Sequence, residues 1–129
     1  MPNYSQNDYK KMLQNEQISS KMLETLLKAR EEKIIDFKLI DIREIYEYTD
    51  ASIKGTDILL PTSAMHLHMN LLEEQKNEHI ILYCRTGNRT GHVMMILKRM
   101  GFAKISHLTY GIMDYRGEIL RGAPLPNKL

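Results

Sequence analysis

The chain of 129 residues has one cysteine, no tryptophan and four prolines. One thiol excludes an internal disulfide, so folding does not depend on oxidation. No apolar run approaches the roughly 20 residues of a membrane-spanning helix. The opening segment MPNYSQNDYKK is polar and lacks the apolar core of a signal peptide. These absences read as a soluble cytoplasmic protein. An excess of charge is also missing. Eighteen basic groups against sixteen acidic ones leave a formal +2, which argues against a general nucleic-acid or membrane-surface role. A local basic site stays open. No internal repeat or low-complexity tract interrupts the chain, and its length suits one domain around one core.

What is present alternates in period. Residues 1–17 are polar without a strong period and read as a loose arm or accessory helix. Met22, Leu23, Leu26 and Leu27 share a helical stripe within 19–32, with Ser19 or Ser20 as cap. The run 37–42 reads as a buried strand ending in the charged cluster Asp41-Ile42-Arg43-Glu44. A short strand over 56–60 stops at Pro61, and 62–74 has helical spacing. The run 79–83 is a third strand. Over 90–100, Val93, Ile96, Leu97 and Met100 predict a helix that Gly101 stops. A fourth strand is expected over 104–108, a last helix over 112–120, and surface loop in the tail RGAPLPNKL. Strands alternating with helices predict an α/β fold with a mainly parallel central sheet. Ligands of such sheets bind beyond the carboxyl ends of the strands. Both charged clusters, 41–44 and 84–89, lie at such ends.

The single cysteine opens the stretch CRTGNRT, residues 84–90, between a predicted strand and a predicted helix. A lone cysteine after a buried strand is most often a small core residue. Its neighbours argue otherwise, because two arginines and a glycine belong to a surface turn. Cys84 at the head of that turn is expected to be partly exposed and to face anions. Three features favour the reactive thiolate: turn amides that can form an anion nest, the positive end of the following helix, and the fixed charges of Arg85 and Arg89. From an ordinary value near ~8.5, such surroundings lower a thiol pKa by one to several units.

The stretch YCRTGNRTGHVMMILKRMGF resembles the active-site strand, loop and helix of the rhodanese (sulfurtransferase) family, whose Cys-Arg-x-Gly-x-Arg/Thr loop carries a persulfide. KLIDIREIYEY is similar to the family's Leu-Ile-Asp-Val-Arg-Glu segment, ASIKGTDILLP in part to Gly-His-Ile-x-Gly-Ala-x-x-Ile-Pro, and GFAKISHLTYGIMDY to its closing Gly-Phe segment. The likeness runs from about 18 to 124, in family order. Ser52 replaces a usual histidine, Asp57 a small residue, Tyr110-Gly111 a glycine pair and Tyr115 a tryptophan. These departures bear on the pocket rim and the sulfur acceptor.

The resemblance implies a rhodanese-like domain over 18–129, with helices on both faces of the sheet. It implies sulfur transfer from a donor such as thiosulfate to cyanide or a thiol through a persulfide on Cys84, with no metal and no cofactor. Arg85, Thr86, Gly87, Asn88, Arg89 and Thr90 are expected to cradle the anionic sulfur and the donor. Arg85 is the candidate for the donor's oxyanion. Arg89 is expected to share that task or to lock the loop onto Glu44 or Asp41. Asp41, Arg43 and Glu44 are expected to act mainly from behind the loop. A sulfur-accepting protein is a further expected partner; nucleic acid and membrane are not.

Two rivals remain. Cysteine phosphatases and arsenate reductases use a Cys-x5-Arg loop, whereas here Arg89 is the fifth residue after Cys84 and Thr90 the sixth. The shorter loop suits sulfur better than a phosphoryl group. A non-catalytic persulfide carrier would use the same residues as the enzyme. Elsewhere, His66 and His68 lack a third metal ligand at useful spacing. His79 and His107 read as structural, His92 as solvent-facing or packed, and Tyr46 and Tyr48 as cover for the sheet edge.

Overall fold

The computed structural model describes residues 3–129; of the expected arm, residues 1 and 2 lie outside the described residues. The chain runs through helix α1 (Gln6–Leu13), strand β1 (Gln17–Ile18), α2 (Ser20–Glu31), β2 (Lys38–Asp41), α3 (Ile45–Asp50), β3 (Ser52–Ile53) and β4 (Ile58–Leu59). It continues through α4 (Met69–Glu73), β5 (Ile80–Tyr83), α5 (Asn88–Arg99), β6 (Ile105–Leu108) and β7 (Ile119–Leu120). Five strands form one parallel sheet in the order β1-β6-β5-β2-β4, and β3 pairs antiparallel with β7 beside it. The α/β fold with a mainly parallel sheet is the one its sequence predicts.

Successive strand residues point to opposite faces. Ile80 and Leu82 therefore join Ile40, Val93, Leu97 and Leu72 on one face, under α4 and α5. Ile81 and Tyr83 join Leu39, Leu23, Leu26 and Leu13 on the other, under α1 and α2. Burying each such leucine or isoleucine contributes about 1.5–3 kcal/mol. Helix α2 starts where the Ser19 hydroxyl accepts the Met22 amide at 3.1 Å.

The structure departs from the expected elements over 62–74, in α5 and over 112–120. Over 62–74 a 3-10 turn, Thr62–Leu67, precedes the short α4, because Pro61 holds the entry backbone extended. Helix α5 begins at Asn88, two residues early, with Gly87 at its N-cap. Its buried stripe is Thr90, Val93, Met94 and Leu97, while Ile96 and Met100 are exposed. The expected helix over 112–120 is absent: Ile112–Asp114 forms one 3-10 turn and β7 pairs with β3. The tail is loop, and Asn127 there donates to the Leu59 carbonyl at 3.1 Å and accepts the Leu59 amide at 2.8 Å.

Parallel pairing puts the carboxyl ends of β2, β5 and β6 at one edge. Arg43 follows β2, Cys84 follows β5, and Thr109 to Gly111 follow β6.

Candidate active site

Cys84 is 1% exposed, against the expectation of partial exposure. Its side chain belongs to the core cluster that includes Val93 and Met94. Burial follows from position, because Cys84 comes directly after the buried strand β5 and joins the core cluster of Ile80 and Leu82. Polar groups nonetheless converge on the sulfur. The Gly87 amide donates to Sγ at 3.2 Å, and the Thr90 hydroxyl lies at 3.7 Å. Burial pushes the thiol up, but hydrogen bonds from the Thr90 amide and hydroxyl and from the Gly87 and Thr86 amides outweigh it, and the net shift is downward. The loop is thus a nest of amides closed over a buried sulfur.

Gly87 makes this geometry possible. Its φ is +100°, and a Cβ there would lie 1.9 Å from the Thr109 carbonyl oxygen. Gly111 plays the reciprocal part: with φ +68°, its Cβ would fall 2.2 Å from the Arg85 carbonyl oxygen. The segment after β6 therefore lies flat on the loop, where Ile112 donates to the Cys84 carbonyl at 2.9 Å and Met113 to that of Arg85 at 3.1 Å. Expected at the pocket rim, Gly111 instead clamps the loop.

The two loop arginines differ. Arg89 donates to both oxygens of Glu47, at 2.9 and 3.0 Å. That fork holds the Glu47 carboxyl below its ordinary range. The lock expected on Glu44 or Asp41 is therefore made by Glu47 instead. Glu44 accepts from the Ser63 hydroxyl at 2.6 Å and stands at the N-cap of α3, and Asp41 is taken by Arg43. Arg85 is exposed, and among the described residues its side chain forms no hydrogen bond or ion pair. It lines a cleft of about 630 Å³ with Tyr46, Met113, Ile119 and Arg121. Thr86 and Asn88 are exposed on the loop.

Behind the loop, Arg43 and Asp41 form a buried pair. Nε and Nη2 of Arg43 reach the carboxylate at 3.0 and 2.9 Å, and Nη2 also donates to the Ala51 carbonyl at 2.6 Å. Burial pushes the Asp41 carboxyl up, and Arg43 pulls part of that back. The Arg43 guanidinium lies 5.5 Å from the centre of the Tyr83 ring, and the Tyr83 hydroxyl accepts the Ile53 amide at 3.2 Å. Asp57 accepts from Arg30 at 2.6 Å and from the Leu39 amide at 2.8 Å, so this departure is an anchor for α2 rather than rim. Tyr48 is buried on α3, whereas Tyr46 is exposed and faces the cleft. The Ser52 hydroxyl is buried without a partner among the described residues.

Comparison with known proteins bears on the family and the fold. The model of the Rhodanese-like domain matches residues 21–118. The chain is 29% identical over 103 residues to "Putative sulfur carrier protein YrkF" of Bacillus subtilis, covering 78% of this chain and 54% of that one. It is 29% identical over 93 residues to a tRNA uridine(34) hydroxylase of Teredinibacter turnerae, covering 70% of this chain and 29% of that one. It thus spans about half the length of the first relative and under a third of the second. A rhodanese-related protein from Thermoplasma volcanium superposes with a TM-score of 0.67 at 22% identity, over 82% of this chain and 98% of that one. A thiosulfate sulfurtransferase from Pseudomonas aeruginosa superposes with 0.68 at 20%, over 83% of this chain and 20% of that one. Among the described residues, no helix is long and apolar enough to cross a membrane. With the matched family model spanning the strand, the loop and the helix behind it, the chain belongs to the Rhodanese-like domain family.

Proposed function

We propose that this protein is a sulfurtransferase working through a persulfide on Cys84. The observation that carries the reading is the Gly87 amide on Sγ at 3.2 Å, inside a loop that also aims the Thr86 and Thr90 amides at the sulfur. A buried sulfur surrounded by donors favours its anion, the form that attacks. The Cys84 thiolate attacks the outer sulfur of thiosulfate. The donor's S–S bond breaks, sulfite leaves with its electron pair, and a persulfide remains. A thiol or cyanide then takes the outer sulfur and the Cys84 thiolate returns.

Thr86, Gly87 and Thr90 hold the anionic sulfur, and Arg85 holds the departing oxyanion from the cleft. Arg89 and Asn88, at the start of α5, fix the loop's shape. Asp41 and Arg43 pair behind it, and Glu44 stands at the N-cap of α3, the helix that carries Glu47. The site calls for no metal or cofactor. A working thiolate fits the reducing cytoplasm, and residues 1–17 add the accessory helix α1 to a unit spanning 18–129, with Gln17 already in its sheet and Leu13 in its core.

Arg89 stands one place too early for a phosphatase loop and is engaged by Glu47, which disfavours phosphoryl or arsenate chemistry. The carrier reading, in which the acceptor is a partner protein, draws support from the likeness to the putative sulfur carrier protein YrkF. Thiocyanate formation from thiosulfate and cyanide is the test. Turnover lost in Cys84→Ser supports the enzyme. Sulfur loading without turnover supports the carrier. Hydrolysis of aryl phosphates without sulfur loading overturns both.

A further inference from the structure

A second chain of polar groups leads away from the Cys84 sulfur. The Thr90 hydroxyl, 3.7 Å from Sγ, lies 2.7 Å from His107 Nδ1. The other ring nitrogen, Nε2, lies 3.0 Å from Gln17 Oε1, which also accepts the Thr109 hydroxyl at 3.0 Å. Register explains the meeting, because Gln17 of β1 stands opposite His107 of β6. An amide oxygen only accepts, so Nε2 carries the hydrogen of the neutral ring. Nδ1 then presents its lone pair to Thr90. Thr90 and His107 are buried and Gln17 is exposed. The chain therefore connects a buried sulfur to the surface.

We propose that His107 accepts the Cys84 thiol proton through the Thr90 hydroxyl, creating the thiolate without water at the sulfur. The S–H proton passes to Thr90 Oγ1 while the hydroxyl's own proton passes to His107 Nδ1. The products are a thiolate, an intact hydroxyl turned toward it, and an imidazolium donating to Thr90 and Gln17. Nothing is oxidised or reduced, and the net charge stays zero. The hydroxyl has one hydrogen, so donation to the Gly87 carbonyl at 3.1 Å is an alternative to donation to Nδ1.

The surroundings of the ring suit the task. Among the described residues it forms no ion pair. From α5 it meets Thr90 and the bare Gly91, where a Cβ would lie 3.7 Å from Cε1. Glu16, before β1, offers its carbonyl to the His107 amide, and its carboxylate is paired with Lys98 of α5. The neighbouring strand β5 leads to Cys84 itself and directs Tyr83 to the opposite face. Burial pushes the imidazole down, which favours the neutral ring before transfer. His107 is thus a positioning and proton-accepting residue that acts through Thr90. The inference rests on Cys84 being the reacting group.

The test is the rate of Cys84 alkylation by iodoacetamide across pH, which needs no sulfur donor. His107→Asn should lower the rate near pH 7 about tenfold while the rates converge near pH 10. Gln17 is exposed, so variants there leave the core intact. Gln17→Glu should strengthen the ring as a base and raise the rate near pH 6 about threefold, and Gln17→Leu should lower it. If His107→Asn does not fold, the two Gln17 variants decide. Folded variants with the wild-type profile overturn the relay. A His107-dependent profile together with no sulfur loading would uphold the relay and overturn sulfur transfer.

Discussion

The guanidinium of Arg89 is gripped by both oxygens of Glu47, across 42 positions of chain. This fork ties the first turn of α5 to α3 and fixes the backbone whose amides face Cys84. It also divides the arginines, leaving Arg85 as the loop cation turned to the cleft.

Breaking the fork should loosen the loop more than the fold. Glu47→Gln is expected to reduce sulfur transfer about three- to tenfold while lowering stability by less than about 1 kcal/mol, since the pair is partly exposed. Glu47 titrates below its ordinary 4.5 when folded. Its contribution is therefore fully present above that value and is lost as pH falls through the lowered folded value. Thermal melts over about pH 6 to 3 should show a smaller acid destabilisation in Glu47→Gln than in the wild type.

Arg85 should govern donor binding. Arg85→Ala is expected to raise KM for thiosulfate about tenfold, the scale of one charge-assisted contact, with the melting temperature unchanged. An unaltered KM would remove Arg85 from the donor site.

The pair beneath the loop should behave as a unit. Asp41→Asn or Arg43→Met leaves one buried charge alone and is expected to destabilise by about 3–5 kcal/mol. Urea unfolding of each single variant and of the double variant checks this. The double variant should lose less than the sum of the two.

Gly87→Ala should fail at both levels, because its Cβ would meet the Thr109 carbonyl at 1.9 Å. A loss of about 3 kcal/mol or more is expected, with sulfur loading abolished. Gly111→Ala tests the same contact from the other side, through the Arg85 carbonyl.

The sequence disclosed what was contiguous. The apolar run 80–83, the loop 84–90 and the stripe of α5 are each local, so strand, turn and helix could be read in order. What stayed hidden depends on pairs far apart in the chain. Nothing near Arg89 marks Glu47 as its partner, and His107 reads as an ordinary strand residue until Gln17 and Thr90 surround it. The segment 112–120 has apolar spacing that suits a helix, yet Ile119 finds Ile53 and the backbone of 112–113 finds the loop. The burial of Cys84 is hidden in the sequence for a related reason. Arginines and glycine mark the turn as exposed, but the first residue of the turn still follows the buried strand.

The central claim is that amides around Cys84 hold its sulfur as an anion able to accept another sulfur. The most direct measurement is intact mass after incubation with thiosulfate and removal of the donor. The account predicts a gain of one sulfur atom in the wild type, lost on reduction and absent in Cys84→Ser. A folded wild-type protein that gains no sulfur from any sulfane donor would contradict it.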